Sequence, residues 1–257
     1  MISPLSIIGT SWSFYKKQPV LNEIAFWMFF LPIAFMDALS GMIGVAEAGA
    51  QGLDVDGVKL ASFTAMEIAL FVPLLVALFF FLFWGQACVL TVAKRLVSSP
   101  AGRNRTSFKA VRKEGYKFIG PLALLEILRG IITLLWCVLL IVPGIIYSVR
   151  TIFYDIMLIE EGKVAYGRPV LDKSKDFVKG RTWEVFWPLM LIAICIFIPV
   201  GIIDGIIVAI TTTIDERLVT LAAVLTDFVD AFAGVFFMVC TVALYAELKK
   251  NPTPSKG

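Results

Sequence analysis

The chain has 257 residues, of which 59% are hydrophobic and 17% charged, with a mean hydropathy of +0.86 and a formal charge of +3. Soluble domains carry roughly 45–50% apolar and about 25% charged residues, so composition alone makes this an integral membrane protein. Histidine is absent, which excludes imidazole metal ligands, histidine general bases and Ser-His-Asp triads; the chain is expected to use no catalytic residue, metal or cofactor.

In chain order, Leu5, Ile8, Trp12 and Tyr15 recur at helical spacing ahead of Lys16 and Lys17. They predict an amphipathic helix at the headgroup level. No basic stretch precedes the first apolar residues, so no cleavable signal peptide is expected.

Six apolar runs follow, at roughly 24–46, 66–93, 118–142, 144–161, 185–210 and 219–246. A helix crosses a bilayer with about 20 apolar residues, so each is a predicted span. Pro143 and Gly144 separate the third run from the fourth and predict the turn of a helical hairpin.

Two further amphipathic helices are predicted. Phe108, Val111, Gly115 and Phe118 form an apolar face amid Lys109, Arg112, Lys113 and Lys117. Leu171, Ser174 and Val178 do so amid Lys173, Lys175 and Lys179. "SFKAVRKEGYKFIGPLALL" from Ser107 and "SKDFVKGRTWEVFWPLMLI" from Ser174 align without gaps, sharing the serine, a valine, a basic residue, an aromatic and Pro-Leu. This suggests three units of one amphipathic helix plus two spans, with chance matching in a biased composition as the competing reading. The expected fold class is all-α: a polytopic bundle of six transmembrane helices with three amphipathic helices on the cytoplasmic side. Residues 1–250 form one domain, followed by a disordered tail over 251–257.

Lysine and arginine fix the orientation. Nineteen lie before span one, between spans two and three, between four and five, or after six; only Lys59 and Arg217 lie in the opposite loops. The positive-inside bias then places both termini in the cytoplasm. Trp12, Lys16, Lys17, Lys109, Arg112, Lys113, Lys173, Lys175, Lys179, Arg181 and Trp183 are expected to meet anionic headgroups of membrane lipids there, with Trp187 as a further anchor. No nucleic-acid-binding module is recognisable, and no nucleic-acid partner is expected.

The remaining two cations, Arg129 and Arg150, lie inside predicted spans with Asp37, Glu67, Glu126, Asp155, Asp204, Asp227 and Asp230. One charge at a helix centre costs about 2.5–3.5 kcal/mol on the insertion scale, so these groups must pair, reach water or become neutral. Counting the helical rise from the Pro-Gly turn puts Glu126, Arg129 and Asp155 near one another at mid-membrane. Arg150 falls about 10 Å inside the outer turn, level with Asp37, Asp204 and Asp227. Three readings stay open: pairs that fix helix register, an acid-lined path for a proton or small cation, and a lipid headgroup held by Arg150. Gly201 and Gly205 form a GxxxG expected to pack within the bundle. The four cysteines, each in a different apolar run, are expected to pack as small hydrophobes.

"VPGIIYSVRTIFYDIMLIEEGKVAYGRPVLDKSKDFVKGRTWEVFW", from Val142, carries Pro143-Gly144, Arg150, Glu161-Gly162, Ser174 and Lys179-Gly180-Arg181-Thr182-Trp183. This stretch resembles the bacterial six-helix inner-membrane proteins of the YciC type, related to the membrane domain beside some glycerophosphoryl diester phosphodiesterases. The resemblance is sharp over about 50 residues and topological elsewhere. It implies a six-helix fold in the bacterial cytoplasmic membrane. It implies no phosphodiesterase activity, because the catalytic histidines of that enzyme have no counterpart here. The expected function is a lipid-associated or scaffold membrane domain; the alternative is a small transporter or channel using the intramembrane Arg and Asp residues.

Overall fold

A computed structural model describes residues 3–43, 53–55, 58–60, 65–98, 107–162, 167–215 and 218–251. Arg103, Arg105, Lys163, Arg217 and Lys256, the side chains of Lys59 and Glu67, and the expected tail from residue 252 onward lie outside the described residues. The described chain is helical apart from one short two-stranded ladder. In order come α1 (Pro4–Lys17), α2 (Val20–Ile24), a π-helical segment (Ala25–Phe30) and α3 (Leu31–Ile43). The antiparallel strands β1 (Leu53–Val55) and β2 (Val58–Leu60) pair with Leu53 opposite Leu60. Then follow α4 (Ala65–Ser98), α5 (Phe108–Gly115), α6 (Ile119–Leu139), α7 (Ile141–Arg150), α8 (Tyr154–Glu161), α9 (Arg168–Val178), α10 (Thr182–Ile214) and α11 (Val219–Lys250). Among the described residues, six segments are long and apolar enough to cross a membrane: 20–39, 68–98, 108–139, 141–161, 182–214 and 219–250. The chain is a multi-pass membrane protein.

α11 is the axis of the bundle, packed against α1, α3, α4 and α10. Val235, Val239, Cys240, Leu244 and Leu248 are buried along it. The outer faces of α4 and α10 carry exposed Leu, Val, Ile and Phe side chains, the surface a hydrocarbon solvent requires.

α1, α5 and α9 gather at one end, here the basic end. α1 lays Ser6, Ile7 and Thr10 beside Ala246 and Lys250 of α11. α5 is tied to α4 by Trp84, whose Nε1 donates to the Arg112 carbonyl at 3.0 Å. Lys173 of α9 pairs with Glu161 at 2.8 Å. Val111, Gly115 and Phe118 are buried, as are Leu171, Ser174 and Val178, while Lys109, Arg112, Lys113, Lys173 and Lys179 are exposed. α1 differs from its predicted face. It buries Ile7, Ser11 and Phe14, and leaves Leu5 and Trp12 outward.

The hairpin turn is also displaced. Leu140 holds the one extended conformation between α6 and α7, and Pro143 and Gly144 lie in the first turn of α7. A proline there gives up an N–H that has no helical partner anyway. Gly144 serves a close approach instead of a turn: a Cβ on it would meet the Cys137 backbone at 3.0–3.1 Å. Glycine lets the two arms of the hairpin touch.

The fourth span is interrupted. Residues 151–153 form a turn between α7 and α8, with no proline or glycine in it. Outside contacts hold it open. Ser174 Oγ donates to the Arg150 carbonyl at 3.0 Å and accepts from Phe153 N at 3.2 Å. Thr151 Oγ1 accepts from Arg129 Nε at 3.1 Å and donates back to the Tyr147 carbonyl at 2.9 Å. In the first span, Pro32 cannot donate to the Met28 carbonyl, and the π-helical widening lies directly before it. Gly85 of α4 leaves room for the side chains of this segment: its Cβ would lie 2.9 Å from Met28 Cβ and 2.6 Å from Phe29 Cε2.

Candidate functional site

Intramembrane charges gather in three places. The first is a cavity of about 420 Å³ between α4, α6, α8 and α11. Glu126 and Arg129, three apart on α6, point the same way by helical spacing and pair at 3.2 Å. Tyr154 donates to the other Glu126 oxygen. Arg129 reaches Thr151 and, at 3.3–3.4 Å, the hydroxyl and carbonyl of Ser148, and its guanidinium lies 5.6 Å from the Tyr154 ring centroid. Asp155 lines the same cavity but makes no ion pair among the described residues. It accepts from Gln86 Nε2 at 3.4 Å and from Ile156 N at 2.7 Å. The predicted Glu126/Arg129/Asp155 grouping is therefore present, with Arg129 committed to Glu126. Gln86, Ser148, Thr151 and Tyr154 complete it; neutral polar residues in apolar runs carry no sequence signal of partnership.

The second place is the far half of the bundle. Asp227 makes a side-chain hydrogen bond to Asp37, and Asp230 lies close enough to act electrostatically on both Asp227 and Asp204. Four carboxyl groups from three spans thus form one group. Asp204, Asp227 and Asp230 have no Lys or Arg partner among the described residues, and no metal-binding cluster is found there.

Arg150 is not among them. Its Nε donates to Thr182 Oγ1 at 3.3 Å, and Thr182 opens α10. Asp204 stands twenty-two residues further along α10, roughly 33 Å at the helical rise. The predicted outer tier of Arg150 with acids is overturned. Depth counted from the hairpin tip took the tip as level with the outer ends of the other spans, whereas α7 lies beside the first turns of α10 and Arg150, at the C-terminal end of α7, meets Thr182 at the basic end.

Two membrane-facing grooves at the basic end form the third place. Arg150 borders one of about 570 Å³, walled by Val142, Ile146, Trp183 and Trp187, with the two tryptophan rings stacked at 6.4 Å. Arg112 borders another of about 700 Å³ between α3 and α4, walled by Trp27, Leu31, Phe35 and Leu78. Arg112 lies over the Trp84 and Phe108 rings. Neither arginine makes an ion pair among the described residues.

Other basic residues are committed to the protein. Arg181 is buried, donating to Glu184 at 3.0 Å and to the Leu248 carbonyl at 3.3 Å. Lys175 pairs with Asp172 at 2.8 Å and lies 4.9 Å from the Tyr147 ring centroid. Lys173 is held by Glu161. Lys16, Lys17, Lys109, Lys113 and Lys179 stay exposed, and Lys16 lies over Trp12. Tyr15, beside them but turned inward, has its phenol pushed up to about 12 by burial.

Gly201 and Gly205 are exposed, and a Cβ on either would meet nothing; they do not pack within the bundle. Cys88 and Cys240 are buried, Cys137 half-buried and Cys195 exposed, all four as free thiols, so Cys195 departs from the packed role expected. Comparison with family models, with curated proteins and with solved structures finds no match to this chain.

Proposed function

We propose that the protein is a non-catalytic, lipid-associated domain of the bacterial cytoplasmic membrane that holds anionic phospholipids at its basic end. One observation carries this reading: Arg112 and Arg150 each stand at the rim of an apolar, membrane-facing groove and have no carboxylate partner among the described residues. A guanidinium offers a fork of donors to a phosphate oxygen pair, and the groove below it takes an acyl chain. The tryptophans at both rims suit the headgroup level.

α1, α5 and α9 serve as amphipathic helices around this end, with Lys109, Lys113 and Lys179 adding attraction of about 1 kcal/mol each toward an anionic leaflet. The cytoplasmic assignment rests on the positive-inside bias and on the resemblance to YciC-type proteins. The buried faces of α5 and α9 support the second and third repeat units. α1, with its different face, is the diverged first.

Native mass spectrometry of protein released from nanodiscs of equal phosphatidylglycerol and phosphatidylcholine tests the proposal. The protein should retain phosphatidylglycerol preferentially, and Arg112→Gln combined with Arg150→Gln should erase the preference. Equal retention of both lipids by the starting protein, or an unchanged preference in the double variant, rejects it.

The alternative, a small transporter or channel, draws on the Asp37, Asp204, Asp227 and Asp230 group and no longer on Arg150. Proton or solute flux in proteoliposomes above protein-free controls, lost on Asp227→Asn, would favour it.

A further inference from the structure

The cavity around Asp155 has features that the lipid reading does not use. Charge balance comes first. Arg129 pairs with Glu126 and donates further to Ser148 and Thr151. Asp155 accepts from an amide and a backbone N–H and makes no ion pair of its own among the described residues, so with both carboxyl groups ionised the charges lining the cavity sum to one excess negative charge. A buried carboxylate without a counter-ion is costly, and a bound cation removes that cost.

The walls then restrict the cation. Phe29, Phe79, Phe83, Tyr154 and Phe237 all line the cavity. The π-helical segment supplies Phe29, and π-helical turns recur at functional sites. A hard metal ion needs six or more oxygen ligands, which one uncommitted carboxylate among phenyl rings does not provide. An anion would meet two carboxyl groups, Glu126 and Asp155, against the single Arg129 guanidinium, which already pairs with Glu126. Aromatic faces attract a weakly hydrated organic cation through the ring quadrupole, and ammonium ligands use such walls. A volume of about 420 Å³ falls within the range of small-molecule sites.

We infer that this cavity binds a lipophilic organic ammonium, with Asp155 as its counter-ion and the aromatic side chains as its walls. The wall residues belong to membrane-spanning segments, so the ligand is one that enters hydrocarbon. This site is separate from the Arg112 and Arg150 grooves and does not depend on their occupancy.

Ligand-observed NMR on the full chain in maltoside micelles tests it, with benzyltrimethylammonium as the probe and N,N-dimethylbenzamide as a neutral ligand of similar shape. The cation should bind at least about tenfold more tightly than the amide. Asp155→Asn should abolish that preference while leaving amide binding unchanged, and Asp155→Glu should restore part of it. Arg150→Gln should have no effect. Equal binding of the two probes overturns the inference, as does a preference that survives Asp155→Asn. Loss of the preference on Asp227→Asn with Asp155 intact also overturns it, by placing the cation at the other carboxyl group. If Asp155→Asn does not fold, Phe79→Leu combined with Phe83→Leu takes its place, and an unchanged cation preference in that variant is equally fatal.

Discussion

Ser174 Oγ donates to the carbonyl oxygen of Arg150 at 3.0 Å, across twenty-four residues of sequence. The same oxygen accepts from Phe153 N. One buried hydroxyl thereby satisfies both sides of the break in the fourth span, which no proline or glycine creates. It also fixes where α7 ends, and so where the Arg150 guanidinium stands.

Ser174→Ala should therefore leave a buried N–H and a carbonyl without partners. A loss of about 1–3 kcal/mol is expected, read as a lower midpoint of thermal unfolding in detergent. Phosphatidylglycerol retention should fall in the same variant, because Arg150 loses its fixed position. A midpoint unchanged from the starting protein would show that the break stands without this contact.

Arg181 and Lys179, two residues apart, should behave oppositely. Arg181 is buried against the Leu248 carbonyl and Glu184, so Arg181→Gln should cost about 1.5–3 kcal/mol, the range for hydrogen bonds to charged groups. Lys179 is exposed, and Lys179→Gln should stay within about 0.5 kcal/mol while weakening retention of anionic lipid. Chemical unfolding paired with lipid retention separates the two.

Glycine substitutions give a third contrast. Gly144→Ala forces a Cβ against the Cys137 backbone, and overpacking of this kind costs about 1–3 kcal/mol. Gly201→Ala and Gly205→Ala meet open space and should change stability by less than about 0.5 kcal/mol. Thermal unfolding of the three variants side by side is the check.

Glu126 and Arg129 should be energetically coupled. Glu126→Gln alone and Arg129→Met alone each strand a partner in the cavity. The double variant should cost less than the sum of the two, with a coupling of about 0.5–3 kcal/mol. Strict additivity in a double-mutant cycle would mean that the pair contributes nothing.

The sequence alone determined the bundle. Six apolar runs and the 3.6-residue spacing of Val111, Gly115 and Phe118, or of Leu171, Ser174 and Val178, are local properties; hydrocarbon and helix geometry read them directly. The i,i+3 pairing of Glu126 with Arg129 was legible for the same reason. What sequence could not supply was where a continuous apolar run stops being one helix. Thr151, Ile152 and Phe153 look like more span, and only hydrogen bonds from Arg129 and Ser174, distant in sequence, turn them into a break. Nor could sequence show that α7 packs beside the first turns of α10, which places Arg150 at the basic end and away from the acids. Likewise, whether a small residue is a turn, a contact or an open surface depends on what faces it: Gly144 meets Cys137, whereas Gly201 and Gly205 meet nothing. Periodicity could not choose the inward face of α1 either, because Leu5 and Trp12 are as apolar as Ile7 and Phe14. The neighbouring helices made that choice by leaving room for one set of side chains.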